Sequence, residues 1–288
     1  MSDRRYQLID FGRGRKLESL GGHLVSRPSP AANDDIPTTP AVWRDAASIF
    51  DASHKAWAHR SPWPDDLRVD CDGFVMPVQP TPFGHIGLFP EQAENWRWLR
   101  SDGVPASSDS EPAKALNLFA YTGASSMALL SAGFAVAHVD AAKANVMAAR
   151  RAAEANGWQD APVRYLVDDA AKFCAREVRR GNRYHTIVLD PPAFGHSPKG
   201  KTWRLERDLW PLLDDVWRIK TKPDFRILVT GHSTGVDQEQ ITAFFEEKQF
   251  RRGGLQLRLQ SGRSELTDTV GRKLDAGFYV RVNGRVSE

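Results

Sequence analysis

Five short apolar runs, Ala115–Phe119, Val136–Asp140, Val163–Val167, Thr186–Asp190 and Ile227–Thr230, punctuate the later part of this chain, with longer segments between them. Two of those segments, Ser125–Ala132 and Ala141–Asn156, have helical length and are followed by Gly133 and Gly157, the residue best suited to end a helix. Strand-sized runs alternating with helices over this distance specify an α/β fold, a doubly wound parallel sheet covered on both faces. The tail breaks the rhythm. Leu255–Gln260 and Gly277–Val282 read as strands, Ser261–Asp275 as the loop between them, and no long helix intervenes. This predicts a closing hairpin whose last strand runs antiparallel.

The first hundred residues are different text. Tyr6–Phe11, Gly12–Gly14 and Arg15–Leu20 read as a hairpin on a short glycine turn. Arg27–Pro40 is a Pro/Ala/Asp-rich connection, and Leu67–Val78 and His85–Phe89 are strand candidates. Ser101–Glu111 is small, polar and interrupted by proline, as in a linker. We therefore expect a small, mostly-β accessory region over 1–105 and the α/β domain over 106–288. With 288 residues and 41% hydrophobic content, the chain can bury that much core.

Several classes of function are disfavoured. Cys71 and Cys174 have no CxxC partners and the eight histidines no metal-ligand spacing, so neither a disulfide framework nor a metal site is expected. No apolar run is long enough to span a bilayer and the opening lacks a signal peptide's apolar stretch, which predicts a cytoplasmic protein. A net charge of +3 only tilts towards a polyanionic partner. The basic clusters Arg4–Arg5, Arg13–Arg15–Lys16, Arg176–Arg179–Arg180–Arg183, Lys199–Lys201–Arg204 and Arg251–Arg252 read first as solvated faces.

Three successive strand candidates end in acids: Asp140, Asp168–Asp169 and Asp190. In open α/β sheets ligands bind beyond the carboxyl ends of the strands. Carboxylates there accept hydrogen bonds only, so they suit a ligand rich in donors. S-adenosylmethionine (SAM) offers a ribose diol, an adenine amine and an ammonium beside a cationic sulfonium. Asp140 stands about twenty residues beyond the first strand, where nucleotide-binding sheets place a ribose-binding acid. A pyrophosphate cofactor would want G-x-G-x-x-G after that strand, but the loop Asn117–Ala124 holds only Gly123.

Asp190-Pro191-Pro192-Ala193-Phe194 is the sharpest motif. Two prolines fix the backbone and remove two N–H donors, leaving carbonyls as acceptors beside the Asp190 carboxylate. Together these could hold an N–H of a base and orient its lone pair, while Phe194 stacks on the base plane. Methyl transfer then needs chiefly alignment with the sulfonium methyl. Asp190, Pro191, Pro192 and Phe194 are thus the candidate catalytic residues.

ALNLFAYTGASSMALLSAG, HVDAAKANV, LVDDAAKF, RGNRYHTIVLDPPAFG and GRKLDAGFYVRV, in this order across residues 85 to 282, resemble the bacterial class I methyltransferases related to the 23S rRNA cytosine-C5 and guanine-N7 enzymes. The opening YQLIDFGRGRKLESLGGHLVSRPSP is similar to a subset of that family with no RNA-binding PUA domain in front. The resemblance implies a seven-stranded Rossmann-like sheet, SAM as cofactor and ribosomal RNA, of 23S type, as partner. It implies a cofactor pocket from the loop Asn117, Phe119, Tyr121, Thr122 and Gly123, with Asp140, Asp169 and Asp190, and a lid segment Phe89–Gln92 whose Gln92 faces the methionine end. One departure matters. Carbon methylation at C5 needs a cysteine thiolate, and where the C5 relatives carry one after the fifth strand this chain has His232. A nitrogen target follows. The same residues also fit a methyltransferase acting on a protein or small molecule, or a non-catalytic RNA-binding relative.

Overall fold

The computed structural model describes residues 4–101, 111–196, 202–222, 224–233, 235–250 and 255–286. Most of the expected linker, and the pairs Lys199–Lys201 and Arg251–Arg252, lie outside the described residues. The chain divides into two compact units. One comprises Met1–Glu94, Ala155–Gly157 and Ser264–Ala276; the other comprises Asn95–Glu154, Trp158–Arg263 and Gly277–Glu288.

In the first unit, strands β1 (Tyr6–Gly12), β2 (Arg15–Leu20), β3 (His23–Pro28), β4 (Ser48–Asp51) and β5 (Ala56–His59) form a sheet in that order. The β1–β2 hairpin is the expected one. Arg13 at its tip takes a φ of 53°, between two glycines that share the left-handed turn. The stretch Leu67–Val78 is two short strands, β6 (Arg68–Asp70) and β7 (Val75–Pro77), because Asp72 and Gly73 turn the chain at positive φ. His85–Phe89 forms no strand. This unit also buries charge. Glu18 is fully buried and takes Lys16 at 3.1 Å, Arg27, and the Tyr6 hydroxyl at 3.0 Å. Lys16 is therefore a core ion-pair partner, not part of a solvated face.

The second unit carries the alternation read from the sequence. After α1 (Ala93–Arg100) come β8 (Lys114–Leu118), α2 (Ala124–Ser131), β9 (Ala135–Asp140), α3 (Lys143–Ala155), β10 (Val163–Val167), α4 (Ala170–Arg180) and β11 (Thr186–Leu189). The short strands β12 (Phe194–His196) and β13 (Thr202–Arg204) follow, then α5 (Leu205–Ile219), β14 (Phe225–Gly231), α6 (Gln238–Phe250), β15 (Leu255–Thr267) and β16 (Lys273–Val286). The seven-stranded sheet runs β10-β9-β8-β11-β14-β16-β15. Its first five strands are parallel, and β16 pairs antiparallel with β14. The central β11, TIVL, is buried throughout, as expected of a strand covered on both faces. The Ser261–Asp275 loop is much shorter than its text suggests. β15 and β16 extend through most of it and only Asp268–Arg272 turns the chain.

Candidate functional site

The order β9-β8-β11 reverses direction at β8, the first strand of the sheet by sequence, and a crevice opens where the chain crosses over there. Register brings the acids to one edge. Val167 pairs with Asp140, Leu118 with both Val139 and Leu189, and the Asp168 amide donates to the Asp140 carbonyl at 3.0 Å. A cleft of about 80 Å³ there is lined by Phe119, Asp140, Asp168, Asp169, Pro192, Gly195 and Trp203, among others. A larger cavity, about 450 Å³, lies at the opposite, amino-terminal edge between residues such as Lys114, Arg164 and Arg183. It holds none of the acids or the diproline turn, so convergent chemistry rather than size makes the smaller cleft the candidate site.

The loop after β8 is the most strained backbone of the second unit. Phe119 and Tyr121 take φ of 54° and 48°, and Gly123 takes 92°. A positive φ at two bulky residues costs energy and persists only where the surroundings impose it, which is common at ligand sites. Asp140 holds part of the loop: its carboxylate accepts from the Tyr121 amide at 2.8 Å, the Ala142 amide at 2.8 Å and the Asn145 amide group at 3.0 Å. Gly123 caps α2, and a Cβ there would sit 2.9 Å from that of Ala149. The one glycine of the loop is thus required twice, for its backbone conformation and for close helix packing.

The other expected residues fall as follows. Asn117 is buried, its amide donating to Ser126 Oγ at 3.0 Å, and it does not line the cleft. Thr122 lies in the strained loop between Tyr121 and Gly123. Asp169 caps α4 by accepting from the Lys172 amide at 2.9 Å, while Asp168 pairs with Arg176. Gln92 ends the 3-10 turn Pro90–Gln92 of the first unit and is buried.

The Asp190–Phe194 turn leaves β11 and enters the β12–β13 hairpin. Burial pushes the Asp190 carboxyl above the usual carboxylate range, opposed by a hydrogen bond with Thr230 and by His232. Pro191 is buried and Phe194 is 54% exposed. The diproline carbonyls are not all left for a ligand: Trp203 Nε1 donates to the Pro192 carbonyl at 2.7 Å and the Leu205 amide to that of Ala193 at 3.1 Å. The sequence reading missed Trp203. Its indole packs at 5.0 Å from the Phe119 ring, so two aromatics and a proline wall the cleft. Nothing in the local text distinguishes this tryptophan from those that pack cores. It comes to the site only because β13 folds back on β12.

Cys174 is fully buried in α4 with its thiol pushed well up by desolvation, and Cys71 is buried in the first unit. Neither can serve as a thiolate nucleophile at this edge.

No family model matches the chain. The crystal structure of the SAM-dependent methyltransferase from Agrobacterium tumefaciens is 31% identical, with a TM-score of 0.87, over 96% of this chain and 89% of that one. The SAH complex of SMU.776 shares the fold at 18% identity, with a TM-score of 0.74 over 99% of this chain and 76% of its own. Among curated proteins, Ribosomal RNA large subunit methyltransferase I of Aeromonas hydrophila is 31% identical over 99 residues, 34% of this chain. Its counterpart from Alteromonas mediterranea is 30% identical over 96 residues, 33% of this chain. The chain spans about a quarter of the length of these curated relatives.

Proposed function

The chain belongs to the SAM-dependent methyltransferases, and on that premise we propose that it methylates a base nitrogen of ribosomal RNA of the large subunit, through the Asp190–Phe194 turn. The observation that carries this reading is the convergence of the Asp140, Asp168 and Asp169 carboxylates, the Phe119 and Trp203 rings and Pro192 on one crevice. Asp190 stands at the end of the central strand beside it.

The donor set fits the cofactor. Asp140 is an acceptor for the ribose hydroxyls, and Asp169 for the adenine amine. Phe119 and Trp203 offer apolar faces to a flat ring in a space that is ring-sized. SAM supplies an electrophilic methyl carbon when bound. The chain's own residues do the rest. Asp190 accepts a hydrogen bond from the target base and so turns the nitrogen lone pair towards that carbon. Phe194, exposed at the end of the turn, stacks on the base.

RNA as substrate is supported by the names of the curated relatives, and a cytoplasmic setting goes with it. A nitrogen rather than a carbon target is supported by the burial of both cysteines. The test is mass spectrometry of ribosomal RNA nucleosides from a strain deleted for the gene. One methylated nucleoside should vanish and return with the wild-type chain but not with Asp190→Ala. Restoration by Asp190→Ala would remove the turn from the mechanism, and an unchanged nucleoside profile would remove RNA from the proposal.

A further inference from the structure

The tail sequence GRKLDAGFYVRV contributes more than a closing strand. Leu189 pairs with Val229 across β11 and β14, so Asp190 and Thr230 stand side by side, with His232 two residues on. From the other flank β16 pairs Phe278 with Gly231, which brings Gly277 against His232. Gly277 has a φ of 102°, and a Cβ on it would lie 2.5 Å from His232 Nδ1 and 2.3 Å from the Gly231 carbonyl oxygen. A Cβ on Gly231 would lie 2.7 Å from the Phe278 ring. The bare Gly277 thus leaves the room that the exposed imidazole of His232 uses, while the bare Gly231 admits the Phe278 ring beside it; His232 stands close enough to Asp190 for its charge to act on that carboxyl.

We propose that His232 is a further catalytic residue: it takes the proton released by a target nitrogen that carries hydrogen, an exocyclic amino or ring N–H group, while Asp190 accepts that group's hydrogen bond. This rests on the function proposed above and narrows its substrate class. The nitrogen lone pair forms the new N–C bond as the C–S electron pair leaves with sulfur. The nitrogen is then cationic with one hydrogen in excess. That proton passes to an imidazole nitrogen of His232, and from there to water. An imidazole is suited to both transfers near neutral pH. A nitrogen without hydrogen, such as N7 of guanine, would need no such acceptor.

The experiment uses the full chain, SAM and an unmodified transcript of large-subunit ribosomal RNA, with His232→Ala and His232→Gln as variants. His232→Ala should lower kcat by about 10²–10⁴-fold, the usual contribution of general base catalysis. KM for RNA and the calorimetric Kd for SAM should stay near wild type. Added imidazole should restore part of the rate to the alanine variant, and nucleoside mass spectrometry should place the methyl on a nitrogen that bore hydrogen. Wild-type kcat in either variant, a loss confined to KM, a kcat loss that imidazole does not rescue, or a methyl on N7 or on carbon would each overturn the role of His232 while leaving RNA methylation standing. If the wild-type chain methylates no RNA, the underlying function falls and this inference with it.

Discussion

Asp190 is held where its charge is unwelcome. Burial raises its pKa, and the opposing pull from Thr230 and His232 does not cancel the cost. A carboxyl whose folded pKa exceeds its unfolded one binds its proton more tightly in the native state, so stability falls as pH rises through that window and stays lower above it. Asp190→Asn keeps the shape and removes the charge. Its Tm should exceed wild type by a few degrees at pH 8, the difference shrinking towards zero below pH 4, while methyl transfer is lost. Thermal melts at a series of pH values check this, and an unchanged or lower Tm at pH 8 would show the carboxylate is not destabilising. What the sequence makes legible here is position along the chain. Asp140, Asp169 and Asp190 were marked by their places at strand ends, and the structure brings Asp140 and Asp169 to one cleft with Pro192 of the Asp190 turn. For Asn117 the strand position says nothing about which face its amide serves, and in the structure that amide is tied to Ser126.

Among the elements, β8, β9, β10, β11 and β14 could be placed to within a residue or two because each is a short apolar run between breakers. β15 and β16 could not. Ser264, Leu266 and Leu274 are buried between exposed charges, a polar alternation without the apolar density that announces a strand. β4 and β5 were hidden for a related reason: Ser48–Asp51 and Ala56–His59 are four residues each and carry half or more of their text in polar or small side chains. Helix placement is more demanding than helix existence. α2 and α3 meet at Gly123 and Ala149, where no room remains for a methyl group. Gly123→Ala should therefore cost roughly 2–4 kcal/mol, from the left-handed backbone and from overpacking together. Combining it with Ala149→Gly should recover the packing part and leave the backbone part. Denaturant midpoints measure both. If Gly123→Ala costs as much in the Ala149→Gly background as in the wild type, backbone strain alone sets the cost.

The whole chain joins two units whose acid sensitivity has different origins. In the second unit His138 and His185 are buried, and desolvation pushes each down to about 4 from an ordinary 6.5. His138 binds Ser126 Oγ through Nδ1 at 3.0 Å, and its Nε2 has no hydrogen-bond partner among the described residues, so a proton there has nowhere favourable to point. Both sites take up protons more readily once unfolded. Their contribution is complete above pH 6.5 and is lost as pH falls towards 4, on the order of 3 kcal/mol each at most. In the first unit desolvation also lowers His23 and His85, and two acids add a lower window of the same sign. Glu18 is held at about 2 by Arg27 and Lys16 against its own desolvation, and Asp10, hydrogen-bonded by Trp43, Thr38 and Thr39, lies below the usual carboxylate range. These acids surrender their stabilisation only below about pH 4.5. Hydrogen exchange read peptide by peptide, corrected for intrinsic pH dependence, should show protection in β8, β9 and β11 falling between pH 6.5 and 4, and the steepest loss in β1 and β2 only below about pH 4.5. Replacing His138 and His185 together by glutamine should flatten the second unit's response in that interval and leave the first unit's low-pH transition where it was. If both units lose protection together in the double variant, the histidines are not what sets the upper window.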